Sequence, residues 1–332
     1  MGLLAPRLRY SAPRMQPAQN ETVPPRLPSV AVLLCSYQGE PHLAEQLDSI
    51  AAQSHRSWTV WVSDDGSTDG TLAILKRYQS LWGADRLSIL QGPRDGFAAN
   101  FRSLTGHTDI DADCYAWADQ DDVWEPQKLE RALAWLQTVP TDTPAVYGTR
   151  TLLTDEDGRP IGNSPLFTRP PHFANALVQS IAGGNTMVFN RAARELLIQA
   201  NARGDAVAPD WLAYLLVSGC GGQVRYDPWP SVRYRQHARN LSGSNVSLRG
   251  RWQRMRLLLG GQFKGWVDAN VELLARVRHR MPEPERRILD AFVEARRQPA
   301  IRRLMGLRRA GIHRQTALGN FGLAIAALLN RL

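Results

Sequence analysis

Three apolar runs, each ending in a polar cluster, constrain this chain more than any other feature. Ser29-Val30-Ala31-Val32-Leu33-Leu34-Cys35 leads into Ser36-Tyr37. Trp58-Thr59-Val60-Trp61-Val62 leads into Ser63-Asp64-Asp65-Gly66-Ser67-Thr68-Asp69-Gly70. Cys114-Tyr115-Ala116-Trp117-Ala118 leads into Asp119-Gln120-Asp121-Asp122-Val123-Trp124. Short, near-continuous apolar runs are the pattern of parallel strands buried on both faces. Helical spacing follows each of the first two: Leu43, Leu47, Ile50 and Ala51, then Leu72, Ile74 and Leu75. A short strand at Leu87-Ser88-Ile89-Leu90 and a helix from Phe97 to Leu104 complete the alternation. Strands alternating with helices predict an α/β fold with a mostly parallel, doubly wound, Rossmann-like sheet. Ligands of such sheets lie outside the carboxyl ends of the strands. The three polar clusters therefore converge by topology, although they are far apart in the chain.

The third cluster carries the sharpest chemistry. Asp119, Asp121 and Asp122 lie within four residues. Carboxylates crowded at a strand end repel one another unless a positive group holds them together. A divalent cation bridging the phosphates of a nucleotide would do so. The plainer alternative is capping of the helix that begins near Pro126 and runs through Leu136, but one carboxylate suffices for a cap. Asp64 and Asp65 precede the capping residues Ser67 to Asp69, so an ordinary strand-to-helix turn leaves them unexplained. A carboxylate there can accept from a nucleobase N–H or a ribose hydroxyl.

The second half is less regular. Ala145-Val146-Tyr147 starts a strand, and Gly183-Gly184-Asn185-Thr186-Met187-Val188-Phe189 runs from a loop into another. Asp210-Trp211 opens an apolar helix through Val217, which makes Asp210 either an N-cap or a general base for a hydroxyl nucleophile. Val224-Arg225-Tyr226 is a strand, and Arg233-x-Arg235-x-His237 a polar strand end whose alternate residues face one way. Those residues could neutralise a diphosphate, with His237 as an extra metal ligand, or form a solvated basic face.

Net charge is +9 and the pI about 9.9, which favours a polyanionic partner. Clustered carboxylates at strand ends argue against nucleic acid, since they would repel phosphates without a metal. Cys35, Cys114 and Cys220 stand at no metal-ligand spacing and read as reduced core residues. Residues 1–28 carry arginines and prolines without a continuous apolar stretch, so they read as a flexible tail, not a leader. Ala317 to Leu329 is too short to span a bilayer and contains Asn320. The expectation is a cytoplasmic protein, or one peripheral on the cytoplasmic face of the inner membrane. From about Leu248 the chain becomes helical and arginine-rich, with Arg249, Arg251, Arg254 and Arg256 beside Trp252 and Leu257 to Leu259. Such a segment suits an anionic membrane surface, or else packs on the preceding domain. The division expected is a tail at 1–28, an α/β domain at 29–245 and a basic amphipathic helical extension at 246–332.

Taken together these motifs resemble the family-2 glycosyltransferases, inverting enzymes of the GT-A fold. The resemblance rests on Val32 to Gly39, Val62 to Thr71 and Asp119-Gln120-Asp121-Asp122, and covers about residues 29–136. Asp119 to Trp124, Lys128-Leu129, Gly96-Phe97 with Asn100-Phe101, and Gly184 to Asn190 look like the rhamnosyltransferase subgroup. The resemblance implies that Ser36, Tyr37 and Glu40 line the nucleotide pocket, with Asn100 from the subgroup motif. It implies that Asp64 and Asp65 contact base or ribose. Asp119 and Asp121 would hold the diphosphate through Mg²⁺ or Mn²⁺, Asp121 as the direct ligand. Asp210 matches the aspartate before tryptophan that serves as catalytic base; relatives often carry His or Glu before it, and here Pro209 stands there. Arg235 and His237 match the end of the catalytic domain. The implied partners are a nucleotide-sugar, dTDP-rhamnose among the candidates, and a glycan or polyprenyl-diphosphate-linked acceptor. A sugar nucleotidyltransferase shares the sheet and carboxylates, but usually carries a glycine-rich basic loop where this chain has Ser36-Tyr37-Gln38-Gly39-Glu40. A non-catalytic nucleotide-binding protein is the other alternative.

Overall fold

The computed structural model describes residues 27–201, 208–236 and 262–332. Its first half alternates as the apolar runs require: β1 (Val30–Ser36), α1 (Leu43–Ala51), β2 (Trp58–Asp64), α2 (Thr71–Trp82), β3 (Leu87–Gln91), α3 (Gly96–Gly106) and β4 (Cys114–Asp119). Then come β5 (Val123–Trp124), α4 (Lys128–Leu136), β6 (Ala145–Thr154), β7 (Pro160–Asn163), α5 (Phe173–Ala176), a 3₁₀ turn at Gly184–Thr186, β8 (Val188–Asn190), α6 (Arg191–Ala200), α7 (Pro209–Gly219) and β9 (Gln223–Arg235). Four helices close the chain: α8 (Gln262–Arg276), α9 (Glu283–Arg297), α10 (Ala300–Arg309) and α11 (Ala317–Leu328).

Among the described residues all nine strands join one sheet, in the order β3-β2-β1-β4-β8-β6-β9-β5, with β7 against β6. β1 to β4 run parallel, and β9 runs parallel to β6. β8, β5 and β7 run against their neighbours. The expectation of a mostly parallel sheet holds. Register places Ser36 beside Asp64 and Cys35 beside Asp119, so the polar ends of β1, β2 and β4 form one edge.

The pleat sends alternate residues of β1 into two apolar layers. Val30, Val32 and Leu34 pack with α1, α2 and α4 through Leu43, Leu75 and Leu133. Ala31 and Leu33 belong to the opposite layer, with α3, α6 and α7 through Leu104, Leu196 and Leu212. Phe263, Leu273, Phe292 and Leu323 of the last four helices enter this second layer too. From Gln262 onward, then, the chain shares its core with the α/β sheet. The boundary expected between 245 and 246 falls outside the described residues, as do 1–26, His237 and the basic stretch from Arg249 to Leu259.

Two elements differ from the sequence expectation. The strand read at 224–226 and the one read from 233 are parts of one strand, β9, which ends at Arg235. Pro228 and Pro230 interrupt its pattern, and the structure absorbs them where the β6–β9 register shifts on either side of Arg150. Pro126 lies ahead of α4, whose N-cap position is Gln127.

Candidate active site

The loops beyond β1 and β2 are laced together. Asp64 is buried, and its carboxylate accepts from Ser36 Oγ at 2.9 Å, Ser67 Oγ at 2.6 Å, Ser67 N at 2.8 Å and Gly66 N at 3.2 Å. Those bonds occupy it in shaping the turn, each charge-assisted bond contributing ~1.5–3 kcal/mol. Asp65 is half-buried and accepts from Arg94 N at 2.6 Å. Gln38 adopts positive φ (51°), and its amide oxygen accepts from Thr68 N and Asp69 N. Glu40 accepts from Gly70 N at 2.9 Å, and Gly39 N donates to Thr71 Oγ1 at 2.8 Å. Tyr37 keeps its side chain exposed above this edge.

Gln120 ties the loop after β4 to the loop after β1. Its Oε1 accepts from Tyr37 N and its Nε2 donates to Tyr37 O, both at 2.8 Å. Gly39 is needed for that closeness, since a Cβ there would stand 2.2 Å from Gln120 Oε1. Asn100, on α3, is buried and donates to Ser63 O at 3.0 Å. Its amide therefore holds the end of β2.

None of the three clustered carboxylates serves as the side-chain cap of α4: its N-cap position has no side-chain hydrogen bond. Burial first, then the charges of Asp121 and Asp210, push the Asp119 carboxyl up to about 7, with Lys128 opposing. Asp122 is fully buried, and burial, Asp119 and Asp121 hold it well above the usual carboxylate range. Its Oδ2 accepts from Asn185 Nδ2 at 2.6 Å, while its Oδ1 has no hydrogen-bond partner among the described residues. Lys128 is buried at the start of α4, donates to Asn185 O, and stands 3.7 Å from the centre of the Trp124 ring. Burial lowers Lys128 to about 7, against the pull of Asp122 and Asp119.

Asp210 arrives at the same place from far along the chain. It sits in the first turn of α7, behind Pro209, and is not the N-cap, which is Ala208. The carboxylate accepts from Trp211 N at 2.8 Å, and Trp211 Nε1 donates to Ala176 O at 2.7 Å. A Cβ on Gly184 would lie 3.6 Å from Asp210 Cβ and 3.7 Å from the Trp117 ring. The 3₁₀ turn thus stands between Asp210 and β4, and its next residue, Asn185, holds Asp122 and Lys128. Burial raises the Asp210 carboxyl to about 6, although the Trp211 N–H donates to the anion and the Ser180 side chain lies near it.

Arg235 is buried at the end of β9. It donates to Glu45 Oε2 at 2.5 Å and to Glu156 O at 2.7 Å. β9 pairs Arg233 with Val123 and Arg235 with Thr154, so Arg235 lies two residues beyond the short ladder to β5. Asp119 and Asp121 offer the hard oxygen donors a divalent cation prefers, and a cation would relieve the repulsion that raises Asp119. Among the described residues, no three His, Cys, Asp or Glu are grouped to hold a metal. The third expected ligand, His237, lies outside them.

Sequence reasoning gave Lys128, Asn185 and Gln120 no role. Lys128 carried a usable signal: a lysine in the first turn opposes the helix dipole and calls for carboxylates nearby.

The chain belongs to glycosyl transferase family 2, whose model matches residues 31–197. It is 27% identical over 253 residues to the dTDP-rhamnosyl transferase RfbG of Shigella flexneri, covering 73% of this chain and 84% of that protein. It is 36% identical over 132 residues to EpsE of Bacillus subtilis, covering 40% of this chain and 46% of that one. Among solved structures it resembles the mannosyltransferase PcManGT from Pyrobaculum calidifontis in complex with GDP-Man and Mn²⁺, at a TM-score of 0.53 and 20% identity, covering 92% of this chain and 76% of that chain. It also resembles S. aureus TarS 1–349 in complex with UDP-GlcNAc, at a TM-score of 0.52 and 17% identity, covering 91% and 89%. The fold is GT-A, and the activity class is glycosyl transfer.

Proposed function

We propose that this protein moves a sugar, with inversion, from a nucleotide-sugar to a hydroxyl of a glycan or a polyprenyl-diphosphate-linked acceptor in bacterial surface polysaccharide synthesis. One observation carries the reading. Asp210, separated from Asp119 by some ninety residues of chain, lies close enough for its charge to raise the Asp119 carboxyl. A part-exposed carboxyl near 6 beside the carboxylates of the acidic edge supports reading Asp210 as the proton acceptor.

The roles follow from position. Asp210 takes the acceptor hydroxyl proton as that oxygen attacks the anomeric carbon, and the nucleoside diphosphate leaves from the opposite face. Tyr37 and Asp65 line the pocket for base and ribose, with Ser36, Asp64, Glu40 and Asn100 holding the loops that form it. Asp121 and Asp119 would hold Mg²⁺ or Mn²⁺, with His237 as a further ligand. When bound, that cation offsets negative charge on the diphosphate. Arg235 adds positive charge at the same edge. The rhamnosyl relative favours dTDP-rhamnose as donor.

The test is a thermal-shift screen of nucleotide-sugars with Mn²⁺, on wild type and Asp121→Ala. The expected result is a donor that stabilises only the wild type and from which nucleoside diphosphate is released on adding acceptor. Pyrophosphate exchange in place of that release would assign the site to nucleotidyl transfer and overturn the proposal.

A further inference from the structure

The outer face of α11 has the wrong chemistry for a surface open only to water. The helix carries no charged residue. Leu323, Ala326 and Ala327 face the core, yet Leu318 and Phe321 are each 64% exposed, and Leu328 is 44% exposed. A surface helix ordinarily turns polar residues outward. The one strongly polar side chain here, Asn320, bonds back to Arg314 and Thr316 at the helix start. The helix that packs against it, α10, continues the pattern with Ile301 at 71% and Met305 at 46% exposure. Of the large hydrophobic residues exposed among the described ones, six of fourteen fall in the last 32 positions.

The charge carried by these two helices and the turn between them has one sign. Residues 295–332 contain eight arginines and no aspartate or glutamate. Arg302, Arg308, Arg309 and Arg331 are exposed. We infer that α10 and α11 form a docking face for an anionic lipid surface, with Leu318, Phe321, Ile301 and Met305 entering the headgroup layer and the arginines meeting lipid phosphates. The pairing of an apolar stripe with basic flanks is that of an interfacial helix. α11, at 12 residues, is about 18 Å long, enough to lie in the interface and too short to cross it. A second copy of the chain is the poorer occupant, because it would set helices that carry arginines and no acids against each other.

The face is tied by hydrogen bonds to the segment in and after α5. The turn between α10 and α11 is fixed by Asn175 Nδ2 donating to His313 O at 3.0 Å and Gln315 N donating to Gln179 Oε1 at 2.9 Å. The residue after Gln179, Ser180, lies near enough for its side chain to act on the Asp210 carboxyl. Docking by this face would hold the catalytic domain beside a lipid-linked acceptor. This inference rests on the proposed lipid-linked acceptor for its purpose, but not for its measurement.

The experiment is vesicle co-sedimentation of the full chain. Vesicles containing phosphatidylglycerol should bind it at least about tenfold more tightly than pure phosphatidylcholine, and salt should weaken this. Leu318→Asn with Phe321→Asn, and separately Arg308→Ala with Arg309→Ala, should each weaken binding about tenfold, with thermal midpoints and transfer to a soluble acceptor unchanged. Vesicle binding equal to wild type in both variants would overturn the proposal. So would self-association that Phe321→Asn abolishes, which would assign the face to a second copy. If vesicle binding matches these expectations while no donor yields nucleoside diphosphate, the docking face stands and the transferase reading fails.

Discussion

Replacing Asp210 by asparagine should stabilise the protein at neutral pH while abolishing turnover. The reason is the burial that raises the carboxyl from its ordinary 3.8 to about 6. That difference corresponds to ~3 kcal/mol, and solvent reaching the part-exposed residue reduces it to ~1–2 kcal/mol. Because the folded state holds this proton more tightly than the unfolded chain, its favourable contribution is complete below pH 3.8 and is lost as pH rises through about 6. Above that, the wild type bears the whole cost of a buried anion. Asparagine never bears it, and its oxygen can still accept from the Trp211 N–H. Urea unfolding of both proteins should show the variant ahead by ~1–2 kcal/mol at pH 7.5, with the gap closing towards pH 4. Release of nucleoside diphosphate should fall at least about a hundredfold, the scale of a lost general base. A variant less stable than wild type by the same margin at both pH values would refute the burial reasoning. One that turns over at the wild-type rate would refute the role.

The remaining expectations concern the scaffold of the site. Gly39→Ala puts a methyl 2.2 Å from Gln120 Oε1, so the two Tyr37 bonds are lost and thermal stability falls by ~1–2 kcal/mol. Gln120→Ala should cost little more in that background, and a double-mutant cycle by thermal melts measures the coupling; additive costs would count against it. Lys128→Met removes the cation that opposes repulsion at Asp119 and Asp122, and should cost about 3 kcal/mol near neutrality. The loss should shrink in acid, because Asp122 protonates readily and then needs no counter-charge; urea titrations at two pH values would expose a pH-independent loss, which contradicts this account.

The site's acidic edge was legible because burial on both faces leaves a signature in the chain: an unbroken apolar run, then an abrupt polar end. β1, β2 and β4 each carry it, and their register aligned those ends as expected. β9 escaped because Pro228 and Pro230 break the alternation, and only the facing irregularity in β6 shows how a strand tolerates them. Asp64 and Asp65 look alike in sequence, yet four local donors occupy one and leave the other half-buried at the edge. Which of two adjacent carboxylates turns into its own loop is decided by three-dimensional packing. Arg235 was legible as a basic strand end, but its partners Glu45 and Glu156 lie far away in the chain. The closing helices read as an appendage because their arginines dominate the composition, while Phe263, Phe292 and Leu323 go inward.

The loops after β1, β2 and β4 hold one another through Gln38, Gly39, Glu40 and Gln120, whereas Asp210 is carried by α7 and steadied from α5 and the 3₁₀ turn. The two halves of the site therefore vary under separate constraints. Changes in and around α7 can accumulate without loosening the interlocked loops, and a change within those loops must satisfy several partners at once. Under the proposed roles, a lineage built on this frame would change acceptors more readily than donors.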